Sequence, residues 1–204
     1  MYGGVEFVGE AGVVNLKTGQ RRLNFPHHDN TVFHASVSND RQLFVSTGGD
    51  DHDIIIWRPT DGSIVQRIKG SGKSVFGVGW HRDGKTIAWG NTNRGRTTLA
   101  QPPIERSFRL DELEFGPPPA RDFLRIPARV DGYELEAIDF FRIAIKKDGK
   151  QIHTWTSPLQ QDRVFSFSLI GGGKAVMGTG FSLFLIDVEN NRTIREFHGH
   201  AGIV

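Results

Sequence analysis

The chain has 204 residues, 37% of them apolar and 24% charged, with a formal net charge of +2. That balance excludes a disordered tail, and no apolar run of about 18 residues exists to cross a membrane as a helix. With no cysteine there are no disulfides, thiolate metal sites or cysteine nucleophiles in these residues, and the absence fits a reducing, cytoplasmic setting. The start, Met1-Tyr2-Gly3-Gly4-Val5, shows no secretory signal. The arginines Arg94, Arg96, Arg106 and Arg109 form too loose a cluster to predict nucleic-acid binding.

Twenty-five glycines and 15 phenylalanines set short aromatic and β-branched runs between turns, which predicts an all-β chain. In chain order, strands are expected at 4–8, 12–16 and 20–25, then at Val32–Val37, Gln42–Thr47, Asp53–Trp57 and Ser63–Ile68. An alternating run, Val75 to Trp80, opens a further group that continues through Ile87-Ala88-Trp89-Gly90. Residues 91–119 then carry Pro102-Pro103 and Pro117-Pro118-Pro119, too much proline for central strands, so an insertion is expected there, with a strand at Glu105–Leu110 inside it. Leu124–Ala128, Glu134–Ile138, Arg142–Lys146 and Gln151–Thr156 form a degenerate fourth group, and Val164 to Phe197 a fifth.

Three columns recur in phase. Val32, Val75 and Val164 each open an apolar run, and Val204 falls in phase with them at the end. About ten residues later comes a polar turn: Asn39-Asp40-Arg41, Arg82-Asp83-Gly84, Asp131-Gly132 and Gly171-Gly172-Gly173. A hairpin turn forms the third column, ending at Gly19, Gly62, Gly149 and Asn191. Gly19 and Gly62 are 43 residues apart, Gly62 and Gly149 are 87 apart, and Gly149 and Asn191 are 42 apart. One period in three columns marks an internal repeat of four-stranded units, which bury their faces by stacking as the blades of a propeller.

The best unit resembles a WD40 repeat. His28-Asp29-Asn30-Thr31-Val32 matches the Gly-His-x-x-x-Val start, with His27 in place of Gly, and Trp57-Arg58 stands where Trp-Asp is usual. Asp51 falls six residues before Trp57, as in the family. The resemblance implies a buried structural tetrad of His28, Ser46 or Thr47, Asp51 and Trp57. The extra residue in Gly48-Gly49-Asp50-Asp51 leaves Ser46 and Thr47 both open. It also implies a WD40-type β-propeller of about five blades: a partial blade at 1–25, blades at about 32–68, 75–118, 123–156 and 164–198, and the start of another at 201–204. The pattern around residues 75–110 is similar to WD40 arrays of large bacterial proteins, some with a caspase-like peptidase domain elsewhere. Two readings of the whole stay open. The expected one is a fragment of a seven-bladed propeller, since 201–204 would make a meagre closing strand; the other is a five-bladed ring closed by that strand beside 4–25.

Other motifs have plain explanations. Gly70-Ser71-Gly72-Lys73-Ser74 resembles the end of a phosphate-binding loop, but Arg67 replaces the required glycine and a strand follows instead of a helix. Asp50-Asp51-His52-Asp53 offers metal-ligand types on one tight turn, and is expected to be a solvated turn. Trp80, Trp89 and Trp155 are expected to pack between sheets. No cofactor, metal or catalytic set is assigned. The expected function is a non-catalytic scaffold presenting loops to a protein or peptide partner, with no nucleic acid and no membrane. The alternative is a metal-assisted hydrolase or lyase built on Asp51, His52 and Asp53.

Overall fold

The computed structural model of the chain describes residues 9–48, 50–70, 72–91, 104–117, 129–159, 162–180 and 182–197. The expected strands at 4–8 and 124–128, the closing segment 201–204, Gly49, Ser71, Arg94 and Arg96 lie outside these residues. Every described regular element is a β-strand. The chain divides into two compact units, residues 1–94 with 101–125, and residues 95–100 with 126–204.

The first unit holds three antiparallel sheets. A two-stranded sheet pairs β1 (Gly9–Val14) with β2 (Arg21–His28). A four-stranded meander follows: β3 (Val32–Val37), β4 (Phe44–Gly48), β5 (Asp53–Trp57) and β6 (Ile64–Ile68). The next meander runs β7 (Gly77–Trp80), β8 (Thr86–Gly90), β9 (Arg106–Arg109) and β10 (Glu114–Gly116). The second unit holds two more meanders. One is β11 (Arg129–Val130), β12 (Tyr133–Ala137), β13 (Arg142–Lys147) and β14 (Lys150–Thr156). The other is β15 (Val164–Gly171), β16 (Lys174–Thr179), β17 (Leu183–Asp187) and β18 (Arg192–Phe197).

Central strands read as unbroken apolar runs because both their faces are covered. In β5, Ile54 and Ile56 join Val45, Trp80, Ile87 and Phe108 in a core between the two meanders of the first unit. Ile55 and Trp57 point the other way and pack with Phe25 of β2. Trp89 belongs to the former core; Trp155 joins Ile143, Ile145, Met177 and Phe184 in the core of the second unit. All three tryptophans outside β5 are thus packing residues. Polar bonds tie neighbouring sheets inside each unit. Thr47 Oγ1 donates to the Val75 carbonyl (3.1 Å), while Asn191 Nδ2 donates to the Thr154 carbonyl (3.1 Å) and Gly172 N to Asp131 Oδ2 (2.8 Å).

The turn columns have a common cause. Gly19, Gly62, Gly149 and Asn191 all have φ between 47 and 79°, the left-handed region that glycine and asparagine tolerate best. Three residues past each of these turns, one residue drops out of register: Arg22, Val65, Ile152 and Ile194. The outer strands β2, β6, β14 and β18 therefore carry a β-bulge at the same phase, whereas β10 pairs without one. Such bulges twist an edge away from further pairing, which protects an exposed edge strand from aggregation.

Several expectations need correction. β1 starts at Gly9 and ends at Val14, ahead of the expected 12–16, and β2 continues through Pro26 to His28. Val75 precedes its strand, though it is buried, and the Phe76 amide already bonds to the Gly90 carbonyl (3.0 Å). The strand expected at 105–110 is β9, paired with β8, and a further strand, β10, pairs with β9 inside the proline-rich stretch.

Candidate functional site

His28 ends β2, Ser46 lies in β4 and Trp57 ends β5, so the residues that meet come from two adjoining sheets. His28 Nε2 lies 2.8 Å from Ser46 Oγ, and Trp57 Nε1 donates to the same oxygen at 3.1 Å. All three are at most 2% exposed. Burial, its largest cause, pushes the His28 pKa down to about 4, with the Arg67 charge acting in the same direction. The imidazole is therefore neutral at pH 7, and the serine hydroxyl can accept from the indole while donating to it. Phe25 stacks flat on Trp57, with centroids 4.3 Å apart and planes 9° apart, closing the apolar side.

Ser46 rather than Thr47 occupies this network, since Thr47 turns to Val75. Asp51 stands outside it. Its side chain is 58% exposed and accepts from Lys69 Nζ at 3.1 Å. The buried acid is Asp53, 3% exposed, whose Oδ2 accepts from Arg67 Nη1 at 2.7 Å. His52, held at φ 55°, reverses the chain between the two aspartates. We expect Asp53→Asn to cost about 2 kcal/mol, the scale of a partly buried charged hydrogen bond. Asp51→Asn should cost under about 0.5 kcal/mol, since exposed ion pairs contribute little. Urea unfolding of the two variants reads the contrast, and equal losses would mean that the buried Asp53–Arg67 bond contributes no more than the exposed Asp51–Lys69 pair.

The rest of the turn does not converge on a point. Asp50 Oδ1 accepts from Asn30 Nδ2 (2.7 Å), and the Asp50 amide donates to Asp29 Oδ1 (2.8 Å). Among the described residues no group of three or more His, Cys, Asp or Glu side chains is placed to hold a metal ion. Asp29 acts as a clamp between the loop before β3 and the β4–β5 turn, a role that sequence reading missed. Asp162 repeats it in the second unit, accepting from the Gly180 amide at 2.6 Å. An aspartate two or three residues ahead of each of Val32 and Val164 was the available signal.

The loop with the phosphate-site look is a close packing contact. A Cβ on Gly70 would lie 2.2 Å from the His52 carbonyl oxygen. Gly70→Ala should therefore cost about 1–3 kcal/mol through backbone displacement, read as a lower melting temperature. Gly72→Ala, at φ 77° with open space around it, should cost less, as only local backbone strain opposes it. Of the insertion arginines, Arg109 pairs with Asp111 and Glu112, and Arg106 is exposed on β9.

Residues 19–58 match the family model described as WD domain, G-beta repeat. The chain carries a WD40 repeat. The matched span takes in β2 through β5, so the WD40 repeat straddles two sheets, and the His28–Ser46–Trp57 bonds join its outer first strand to the meander that follows. The other four-stranded sheets share the antiparallel meander order of the matched one. Among solved structures, the chain is similar to the β-propeller domain of Cps50 (Swd1) from Myceliophteria thermophila, at 15% identity and a TM-score of 0.43. That likeness covers 97% of this chain and 51% of that one, so the chain spans about half of its length. No curated protein matches the sequence.

Proposed function

We propose that the chain is a protein-interaction scaffold that presents the loop end of its blades to a protein or peptide partner, without catalysis. The observation that carries this is the rigid mounting of that end. The loop before β3 and the β4–β5 turn are pinned to each other by Asp29 and Asn30, on strands locked by the His28–Ser46–Trp57 bonds. Loops held on a stiff frame are where recognition residues concentrate. WD40 repeats commonly serve this role, and Asp51 and Asp53 turn to separate cations, Lys69 and Arg67, which disfavours a metal-based hydrolase.

The test is site-specific photo-crosslinking. A photoreactive residue at Asn30 samples the loop end, and one at Thr60, in the β5–β6 hairpin, samples the opposite end. Capture of a defined partner from Asn30 and not from Thr60 is the expected result. Capture from neither position, or equal capture from both, would overturn the proposal.

A further inference from the structure

Strand β3 inverts the ordinary pattern of a half-buried strand. Its exposed positions are Phe33, Ala35 and Val37, all apolar, whereas the alternate positions Val32, His34 and Ser36 are partly covered. Phe33 is 42% exposed and Val37 40% exposed. Phe33 is also the residue that drops out of register between Val32 and His34, so a bulge projects it. Phe76, half-buried on the loop that leads into β7, meets it with ring centroids 5.2 Å apart and planes tilted by 58°. The second unit repeats the device, since Phe165 bulges between Val164 and Ser166 and is 39% exposed. A valine–phenylalanine pair thus recurs at 32–33, 75–76 and 164–165, its phenylalanine bulged outward at 33 and 165.

A stripe of exposed apolar side chains on a strand marks a surface that gains by being covered. The charges beside it select what covers it. The loops at 29–31, 50–52 and 69–74 carry three carboxylates, Asp29, Asp50 and Asp51, and two ammonium groups, Lys69 and Lys73. Lys69 takes Asp51. Asp29 and Asp50 make only neutral hydrogen bonds, to the Asp50 amide and the Asn30 side chain, and no described residue gives them a cation. Asp29, three residues ahead of Val32, thus brings to the start of β3 an acidic charge that no described residue offsets.

We infer that the Phe33–Ala35–Val37 stripe, extended by Phe76, docks an extended peptide segment that alternates apolar with basic side chains, its basic residues meeting Asp29 and Asp50. This rests on the scaffold reading and names the chemistry of its partner. Apolar side chains spaced two apart match the strand spacing of the stripe, and the acidic loop orients the segment and raises its association rate.

The test uses the full 204-residue chain and three fluorescein-labelled synthetic peptides, read by anisotropy. One alternates leucine with arginine, one leucine with glutamate, and one serine with arginine. The leucine–arginine peptide should bind at least about tenfold more tightly than either of the others, the range of one buried anchor residue. Phe33→Ser with Phe76→Ser should remove about tenfold of that affinity, and Phe33→Ser alone, at an exposed position, should remove part of it without lowering the melting temperature. Asp29→Asn with Asp50→Asn keeps the acceptor oxygens and should bring the leucine–arginine peptide to the level of the leucine–glutamate one. Equal binding of those two peptides to the unmodified chain, or unchanged binding to Phe33→Ser, would overturn the inference. In either case a partner still captured from Asn30 would leave the scaffold reading standing.

Discussion

Trp57→Ala should destabilise the first unit by about 3–5 kcal/mol, the cost of truncating a large, fully buried aromatic side chain. Trp57 is 1% exposed, stacks on Phe25, meets Phe44 edge-on at 5.0 Å and donates to Ser46. Truncation opens a cavity between β2 and the β3–β6 meander and strips Ser46 of a donor. Trp57→Phe separates the two contributions. It retains a ring against Phe25 and loses only the indole N–H and some volume, so it should cost about 1–2 kcal/mol. Since domains commonly have 5–15 kcal/mol of stability in total, the alanine variant should unfold at markedly lower urea than the phenylalanine variant. Circular dichroism follows the transition without relying on tryptophan emission. If the two substitutions cost the same, the packing of Trp57 contributes nothing beyond its hydrogen bond.

The repeat was legible because its turns demand particular backbone conformations. Gly19, Gly62, Gly149 and Asn191 occupy the left-handed region in phase, as do Arg41, Gly84, Asp131 and Gly171 in the preceding turn column. Only some residues tolerate that region cheaply, so the turns leave a mark in composition. Strand limits in the best unit were equally readable: β3 and β5 fall where the alternation and the isoleucine run predict.

Spacing failed at the β4–β5 turn. Counting six positions back from Trp57 leads to Asp51, yet Asp51 stands in solvent and Asp53, two residues on, is the buried acid. A count along the chain does not say which member of a turn points inward. Burial and a partner do, and here the partner is Arg67, on the next strand. Pro26 sits inside β2 at a register irregularity between Phe25 and His28, where a missing N–H costs little. The bulged phenylalanines were not legible. In sequence, Val32-Phe33 is an unremarkable apolar pair, and only the register slip turns its second member outward.

Acid should weaken the first unit in a window set by His28. Folding lowers its pKa from 6.5 to about 4, mainly by burial, with the Arg67 charge adding to it while the Gly48 backbone and the charges of Asp53 and Asp29 oppose it. Between those two values the unfolded chain binds a proton that the folded chain refuses. Stability therefore rises with pH across this interval; it is complete above about 6.5 and falls progressively on acidification to about 4. The span corresponds to about 3 kcal/mol, with a slope of up to about 1.4 kcal/mol per pH unit. His34, also lowered by burial, adds to the slope in the same direction. The carboxylates act later. Asp83 is held at about 2, its burial outweighed by hydrogen bonds from Lys85, Thr86 and His81, so its contribution is lost only below about pH 4. Urea unfolding at pH 7.5, 6, 5 and 4.5, roughly spaced across the window, measures the profile. His28→Gln removes the largest part of the slope while keeping a polar group near Ser46, and should cost stability at pH 7.5 yet change little on acidification. A flat profile for the unmodified chain between pH 7.5 and 5, or an identical slope in His28→Gln, would mean that His28 is not held neutral by its burial between the two sheets.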